Sequence, residues 1–256
     1  MKNIYIIGSG KIAYNIASSL NENQINITGV YGRNIETGNK LAKKVNSKFY
    51  KELKIPKITD LIIICVPDDQ IKIIAKKINK IATVHTSGSS DIKLLKNCSK
   101  YYGVVWPIQT FTNNKKANFK KIPICIEANN DKFKDDLNKL FTKISNNVIN
   151  FNFKQRKLIH LSAVFSSNFS NYLYSISEEL LSDEKIDFIL LKSLILETTN
   201  NAFKYKPTNN QTGPAIRKDL GTIKKHLNLL SKKKKNKYAK IYSLISEYIM
   251  ENDDEL

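Results

Sequence analysis

A glycine motif directly after a short apolar run is the feature that most limits how this chain can fold. Asn3–Ile7 is apolar and rich in β-branched side chains, which predicts a strand, and residues 11–20 have helical spacing. Between them lies Gly8-Ser-Gly-Lys-Ile-Ala13. The glycines permit a tight turn and a close backbone approach, and the small residue at position 13 lets helix and strand pack. This arrangement predicts a pyrophosphate site at the helix N-terminus.

Short apolar runs and helical patterns continue to alternate up to about residue 154, which indicates βαβ units and a parallel sheet. Later residues show only helical patterns. We therefore expect an α/β protein with an N-terminal Rossmann-like parallel sheet domain (1–154) and an all-helical C-terminal domain (155–256). Strands are expected at 25–31, 60–66, 81–86, 103–106, 122–127 and 148–151, and helices at 35–45, 69–78, 131–144, 155–182, 185–203, 221–230 and 236–250.

The formal charge of +19 does not by itself indicate nucleic acid, because only three of the 42 basic residues are arginine and Lys, Asn and Ile are abundant throughout. The run at 232–235 lacks interleaved aromatic residues, so we expect a solvated turn rather than a nucleic-acid patch. No apolar stretch is long enough for a membrane span, and the N-terminus leaves no room for a signal peptide. Three cysteines show no metal spacing. These features predict a cytoplasmic protein without a metal.

The end of the second strand suggests which cofactor is bound. An NAD enzyme usually has a carboxylate there for the ribose hydroxyls, whereas this chain has Arg33 and Asn34 and no acidic residue before Glu36. A guanidinium can bind a 2′-phosphate, which favours NADP over NAD. The predicted cofactor contacts are Gly8, Ser9, Gly10, Lys11, Ile12, Arg33, Asn34, Val66, Pro67 and Ser87.

Two of these segments have an equally good structural explanation. Pro67 and Asp68 can end a strand and cap the next helix, and the segment from His85 to Ser90 can be a capping turn. Alternatively, the hydroxyls and free amides of that segment hold a substrate carboxylate or the nicotinamide carboxamide. Both alternatives stay open at the level of the sequence.

The first long helix of the second half carries candidate catalytic residues. His160, Asn168 and Asn171 share one helical face with Lys157 and Val164 at 3.6 residues per turn. Apolar residues on the adjoining faces predict that this helix is largely buried, so its polar groups need partners or a ligand. A histidine and two asparagines beside a nicotinamide suit proton donation and substrate orientation. They can equally bond to one another or across a dimer interface.

Several segments together resemble a known family: the glycine motif, His-Thr-Ser-Gly from 85, Pro-Ile-Gln-Thr-Phe from 107, residues 160–171 and Thr-Gly-Pro-Ala-Ile-Arg-Lys-Asp from 212. The chain resembles the Rossmann-like proteins with a C-terminal domain of unknown function numbered 2520. That family is similar to pyrroline-5-carboxylate reductase and the β-hydroxyacid dehydrogenases. The resemblance implies an NADP-binding fold, a helical dimerisation domain and reductase activity. The lysine–asparagine pair of the β-hydroxyacid dehydrogenases is absent, because Leu161 stands four residues after Lys157.

The sequence thus predicts a cytoplasmic, homodimeric, NADP-dependent oxidoreductase. It would transfer a hydride from NADPH to a small polar carbonyl or imine, with His160 as the proton donor and Asn168 and Asn171 orienting the substrate. The main alternative is a non-catalytic sensor or regulatory protein that binds NADP(H). A nucleic-acid-binding protein is a third hypothesis that rests on the charge alone. No membrane or nucleic-acid partner is expected.

Overall fold

A computed structural model describes residues 1–112 and 117–252, and contacts between residues divide the chain into two compact units, 1–168 and 169–256. The expected change from strands to helices is confirmed, because the last strand ends at Asn150 and the first long helix after it begins at Phe153. By its contacts, that helix belongs to the first unit.

The first unit is built on one mostly parallel sheet, as expected. Its spatial order in the described chain is β3-β2-β1-β4-β5-β6-β7-β8. Only the β6–β7 pair of these strands is antiparallel, so β7 and β8 run opposite to the others. The two-residue strand β3 is too short to be recognised in the sequence. The strands are β1 (Asn3–Ile7), β2 (Asn26–Tyr31), β3 (Phe49–Tyr50), β4 (Leu61–Ile64), β5 (Ala82–His85), β6 (Tyr102–Pro107), β7 (Ile124–Ala128) and β8 (Val148–Asn150).

Helices cover both faces of this sheet because its strands are apolar on both sides. Ile4 and Ile6 of β1 face one layer, Tyr5 and Ile7 face the other, and all four are fully buried. Such unbroken apolar strands are typical of parallel sheets. The helices of the first unit are α1 (Lys11–Glu22), α2 (Ile35–Lys44), α3 (Asp68–Ala75), α4 (Asp131–Phe141) and α5 (Phe153–Ala163).

A π-helical segment, Val164–Phe169, follows α5. Its i→i+5 bonds interrupt the 3.6-residue period, so the expectation that Asn168 shares one face with His160 is wrong beyond Val164. The expectation that this helix is largely buried is also wrong for the single chain. Leu158 is 65% exposed and Phe165 is 61% exposed.

The second unit is helical and has little core of its own. Neither α6 nor α7 contains a single buried residue. The helices are α6 (Ser170–Ser182), α7 (Lys192–Lys204), α8 (Leu220–Lys232) and α9 (Asn236–Asn252). None of the helices within residues 1–112 and 117–252 combines the length and the apolar character needed to traverse a bilayer.

The lysine run at 232–235 lies where α8 meets α9. Lys233 donates to Glu184 over 2.7 Å, and Lys235 pairs with Glu179 in the same unit. Two of the four lysines therefore serve in ion pairs within the helical unit, which favours the structural explanation of this run.

Candidate active site

The turn between β1 and α1 has the geometry that a pyrophosphate requires. Gly8 has a φ of +117°, and a Cβ placed on it would lie 2.2 Å from the Cys65 carbonyl oxygen. A Cβ on Gly10 would meet no atom within 4 Å. Gly10 is also the N-cap of α1, and as glycine it gives the first N–H groups of the helix no side-chain cap. Gly8 therefore shapes the turn, while Gly10 leaves space for a ligand at a helix N-terminus.

The neighbouring residues of this turn differ in exposure. Lys11 is exposed, Ile12 is half-buried, and Ala13 is fully buried against the sheet. A cleft of about 1010 Å³ runs along α1 and is lined by Ser9, Gly10 and Lys11 together with further residues of α1, residues of α2, and residues 112 and 117–120. Three consecutive residues among the predicted cofactor contacts thus line one end of this cleft.

The loop after β2 is tied to the glycine turn by side chains. The hydroxyls of Ser9 and Thr37 lie 2.7 Å apart, and the Asn34 side-chain oxygen accepts from the Thr37 backbone N–H over 3.0 Å. Asn34 is therefore the N-cap of α2, a structural role that leaves its amide NH₂ available. Arg33 is exposed beside it. Sequence reasoning missed Thr37, which links the two loops.

The loop after β5 is held by a carboxylate from the start of α3. Ser87 Oγ donates to Asp68 over 2.8 Å, and Ser89 also donates to that carboxylate. Ser87 Oγ in turn accepts from the backbone N–H groups of Ser89 and Ser90. Burial opposes ionisation of Asp68, but the hydrogen bonds from Ser89 and Ser87 outweigh it and lower its pKa. The Ser87 side chain thus forms a capping turn.

Val66 and Pro67 lie at the neighbouring strand end. Val66 is half-buried and Pro67 is exposed as the N-cap of α3, with a φ of −54° that suits a helix start. These two residues and Ser87 follow β4 and β5, whereas the glycine turn follows β1. Since these parallel strands end at one edge, their loops follow one another in the order β2, β1, β4, β5.

A buried arginine holds the loop after β5 from beneath. Arg156, in the first turn of α5, is 0% exposed. Its Nη1 donates to the carbonyl oxygens of Ser87, Gly88 and Ser90 over 3.1, 3.0 and 2.8 Å. Its Nε and Nη2 donate to Glu127 of β7 over 3.2 and 2.7 Å. Sequence reasoning missed this role, for which the scarcity of arginine was the one available signal.

A capping box fixes the turn of α5 that carries this arginine. The Asn152 side chain accepts from the Gln155 N–H over 2.9 Å, and the Gln155 side chain accepts from the Asn152 N–H over 3.0 Å. Such reciprocal bonds satisfy two backbone donors and set where a helix begins. Arg156 is therefore directed to its partners from a well-defined helix start.

His160, one turn further along α5, is half-buried against the same loop. Its ring and that of Trp106 have centroids 5.7 Å apart. A Cβ on Gly88 would lie 2.7 Å from both His160 Cδ2 and Trp106 Cε2. His160, Trp106 and the loop after β5 thus meet at one place. Asn168 and Asn171 are both exposed, and Asn171 belongs to the second unit.

His85 is unsuited to proton transfer near neutral pH. It is 0% exposed, and burial, followed by the charge of Arg156, lowers its pKa to about 4. Its Nδ1 accepts from the Ser87 backbone N–H over 3.2 Å, which assigns the neutral tautomer with the proton on Nε2. His85 is therefore a neutral structural residue. The described residues contain no cluster of His, Cys, Asp or Glu that could hold a metal ion.

Comparisons with known proteins show the family to which the chain belongs. The family model of the domain of unknown function DUF2520 matches residues 122–249, and that of shikimate/quinate 5-dehydrogenase matches residues 1–89. The chain belongs to the DUF2520 family. No curated protein matches it in sequence.

Solved structures share the whole fold of this DUF2520 protein. One from Bacteroides fragilis, whose name provisionally calls it an NADP oxidoreductase, is 32% identical with a TM-score of 0.91, and 98% of each chain is covered. Protein TM1727 of Thermotoga maritima has 21% identity and a TM-score of 0.71, with 98% of each chain covered. The pyrroline-5-carboxylate reductase of Streptococcus pyogenes has 14% identity and a TM-score of 0.60, with 99% and 98% covered. The neighbours support an NAD(P)-dependent oxidoreductase of the dehydrogenase type.

Proposed function

We propose that this DUF2520 protein is an NADPH-dependent reductase of a small polar carbonyl or imine. The observation that carries the proposal is the open space over Gly10 at the uncapped N-terminus of α1. Backbone N–H groups and the helix dipole favour a pyrophosphate there. The predicted cofactor residues fit this group, because the glycine turn leaves room for it and no acidic side chain stands between Arg33 and Glu36.

Preference for NADPH over NADH is assigned to Arg33. Its exposed guanidinium stands at the end of β2, where a ribose of the cofactor would lie. It can donate two parallel hydrogen bonds to a 2′-phosphate and none of equal strength to a ribose hydroxyl. The amide of Asn34 beside it offers a further donor.

Bound NADPH supplies the hydride for the carbonyl or imine carbon. The electron pair of the reduced bond then passes to oxygen or nitrogen, which takes up a proton from His160. Histidine is the side chain that most often gives such a proton, and His160 lies half-buried beside the loop after β5. We assign Asn168 to substrate orientation, because its side chain is exposed and offers both donors and acceptors.

The test is a pair of calorimetric titrations of the wild type and of Arg33→Met with NADPH and with NADH. We expect the wild type to prefer NADPH. Loss of a charge-assisted contact with the phosphate should weaken NADPH binding by about 10–100-fold and leave NADH binding unchanged. Arg217→Met, which removes the same charge from the second unit, is the matched control. A wild type that binds neither nucleotide would refute the proposed function.

We further propose that a second copy of the chain covers the helical unit. In the described chain, sixteen large apolar residues within 169–252 are exposed. Before residue 150 only three are exposed in the part that the structure describes: Ile35, Ile58 and Ile73. Phe203 is 90% exposed and Leu190 is 70% exposed. Monomeric proteins rarely expose so much apolar surface, and most oligomers are symmetric homo-oligomers. Analytical ultracentrifugation that shows only monomer at micromolar concentration would refute this proposal.

A further inference from the structure

The buried guanidinium of Arg156 fixes the direction of two peptide groups in the loop after β5. Its Nη1 draws the carbonyl oxygens of Ser87 and Gly88 inward. There are no cis peptides in the described chain, and in a planar trans peptide the N–H points opposite to the carbonyl. The N–H groups of Gly88 and Ser89 therefore point away from Arg156.

One of these two donors is already used, and the other is open. The N–H of Ser89 donates to Ser87 Oγ over 3.2 Å. The N–H of Gly88 has no hydrogen-bond acceptor within the part of the chain that the structure describes, although the residue is buried. Buried backbone N–H groups in native proteins nearly always have a partner. Gly88 packs against His160 and Trp106, and its open N–H indicates that a bound ligand supplies the acceptor.

The order of the strands indicates which part of a dinucleotide reaches this donor. With the pyrophosphate at the β1 turn and a 2′-phosphate at Arg33 after β2, the other half of the cofactor extends over β4 toward β5. Gly88 follows β5, two strands from the glycine turn, which at the usual strand separation is about 10 Å. That is the nicotinamide end, and the carboxamide oxygen of nicotinamide is an acceptor that suits a backbone N–H.

We propose that Arg156 is a positioning residue that holds the Gly88 N–H to donate to the carboxamide oxygen of the nicotinamide, and so places the ring beside His160. The inference rests on the proposed function. Arg156 does not itself contact the cofactor; it acts through the Ser87–Gly88 peptide. The guanidinium also polarises this peptide, because a carbonyl that accepts a charged hydrogen bond makes its N–H a better donor.

A lysine cannot perform this task. Arg156 bonds three carbonyl oxygens and a carboxylate at once through all three nitrogens of its planar guanidinium, with the two N–H groups of Nη1 shared among the carbonyl oxygens. An ammonium has three donors on a single atom. Arg156→Lys therefore retains a positive charge for Glu127 but releases part of the loop, and this separates the positioning role from simple charge neutralisation.

The experiment compares two ligands that share the 2′-phosphate end. NADPH carries the nicotinamide, and 2′,5′-ADP lacks it. We expect Arg156→Lys to weaken NADPH binding by about tenfold, the value of one hydrogen bond in a buried site, and to leave 2′,5′-ADP binding unchanged by calorimetry. Lys154→Met, an exposed position in the same helix turn, should leave both affinities as in the wild type. Thermal unfolding checks that each variant is folded.

Two results would overturn the inference while the proposed function stands. In one, Arg156→Lys binds NADPH as tightly as the wild type does. In the other, it loses NADPH and 2′,5′-ADP equally, which means that the whole site has loosened. If Arg156→Lys does not fold, Glu127→Gln is the second variant, because its amide oxygen still accepts from the guanidinium. It should weaken NADPH binding by about threefold and leave 2′,5′-ADP binding unchanged. A Glu127→Gln variant that binds NADPH as tightly as the wild type would also overturn the inference. A wild type that does not bind NADPH refutes the proposed function itself.

Discussion

Replacing Gly10 with alanine is expected to weaken cofactor binding while leaving the fold intact. The added methyl group meets no protein atom within 4 Å, and the backbone angles of Gly10 (φ −78°, ψ −174°) suit alanine. Alanine is a poorer N-cap than glycine, which lowers the free energy of unfolding, but it also reduces the entropy of the unfolded chain, which raises it. These two effects oppose each other, so the free energy of unfolding should change by less than about 1 kcal/mol. The same methyl group occupies the space through which a pyrophosphate must approach.

The expected loss of NADPH affinity follows from the hydrogen bonds that the pyrophosphate can no longer form with the backbone. A methyl group that keeps the pyrophosphate from one charge-assisted backbone bond costs about 1.5–3 kcal/mol, which is roughly 10–100-fold in Kd for NADPH. Calorimetric titration with NADPH measures this change, and urea unfolding measures stability. The reasoning would be refuted if folded Gly10→Ala bound NADPH within about twofold of the wild type, since such a difference is below 0.5 kcal/mol.

Gly8→Ala is the matched contrast two residues earlier in the same turn. Its methyl group would lie 2.2 Å from the Cys65 carbonyl oxygen at a φ of +117°. Overpacking and backbone strain should together lower the free energy of unfolding by about 2–5 kcal/mol. An unchanged urea midpoint would contradict the described geometry of the turn.

Two further predictions concern the histidines. The pKa of buried His85 is about 4, below the ordinary value of 6.5, so between these pH values the unfolded chain binds a proton that the folded chain does not. The free energy of unfolding should therefore fall by about 3 kcal/mol as the pH drops from 6.5 to 4. In His85→Gln the urea midpoint should change less over this pH range than in the wild type. The same pH dependence in both proteins would contradict the prediction. With a carbonyl or imine substrate in hand, His160→Ala should lower kcat by about 100-fold while NADPH affinity stays within about threefold, and an unchanged kcat would remove His160 from the mechanism.

Local features of the site could be predicted from the sequence because they lie within a few residues of one another. The glycine motif and its flanking strand and helix are contiguous, so their spacing alone indicated the turn between β1 and α1. The capping turn that includes Ser87 was recognised as one of two alternatives. The anchor at Asp68 depends on a contact across 19 residues, and pattern analysis does not reach that far.

Features that depend on distant contacts could not be predicted. Arg156 contacts residues 66 to 69 positions earlier, and no local pattern marks such partners. The π-helical segment changes the helical period, although apolar spacing on either side looks regular. The apolar spacing around Phe165 predicts a largely buried helix, but such spacing does not distinguish a face that is buried within the chain from one that is exposed on it.

The long chain separations bridged by Arg156 also bear on how fast the protein unfolds. Its partners lie in the loop after β5 and in β7, so its bonds can form only after these strands and the start of α5 are in place. Because closing long loops costs entropy before such contacts form, we expect these bonds to be absent from the folding transition state. Their loss then speeds unfolding far more than it slows folding. Arg156 would thus lower the unfolding rate and so prolong the lifetime of the native state, with little effect on the folding rate.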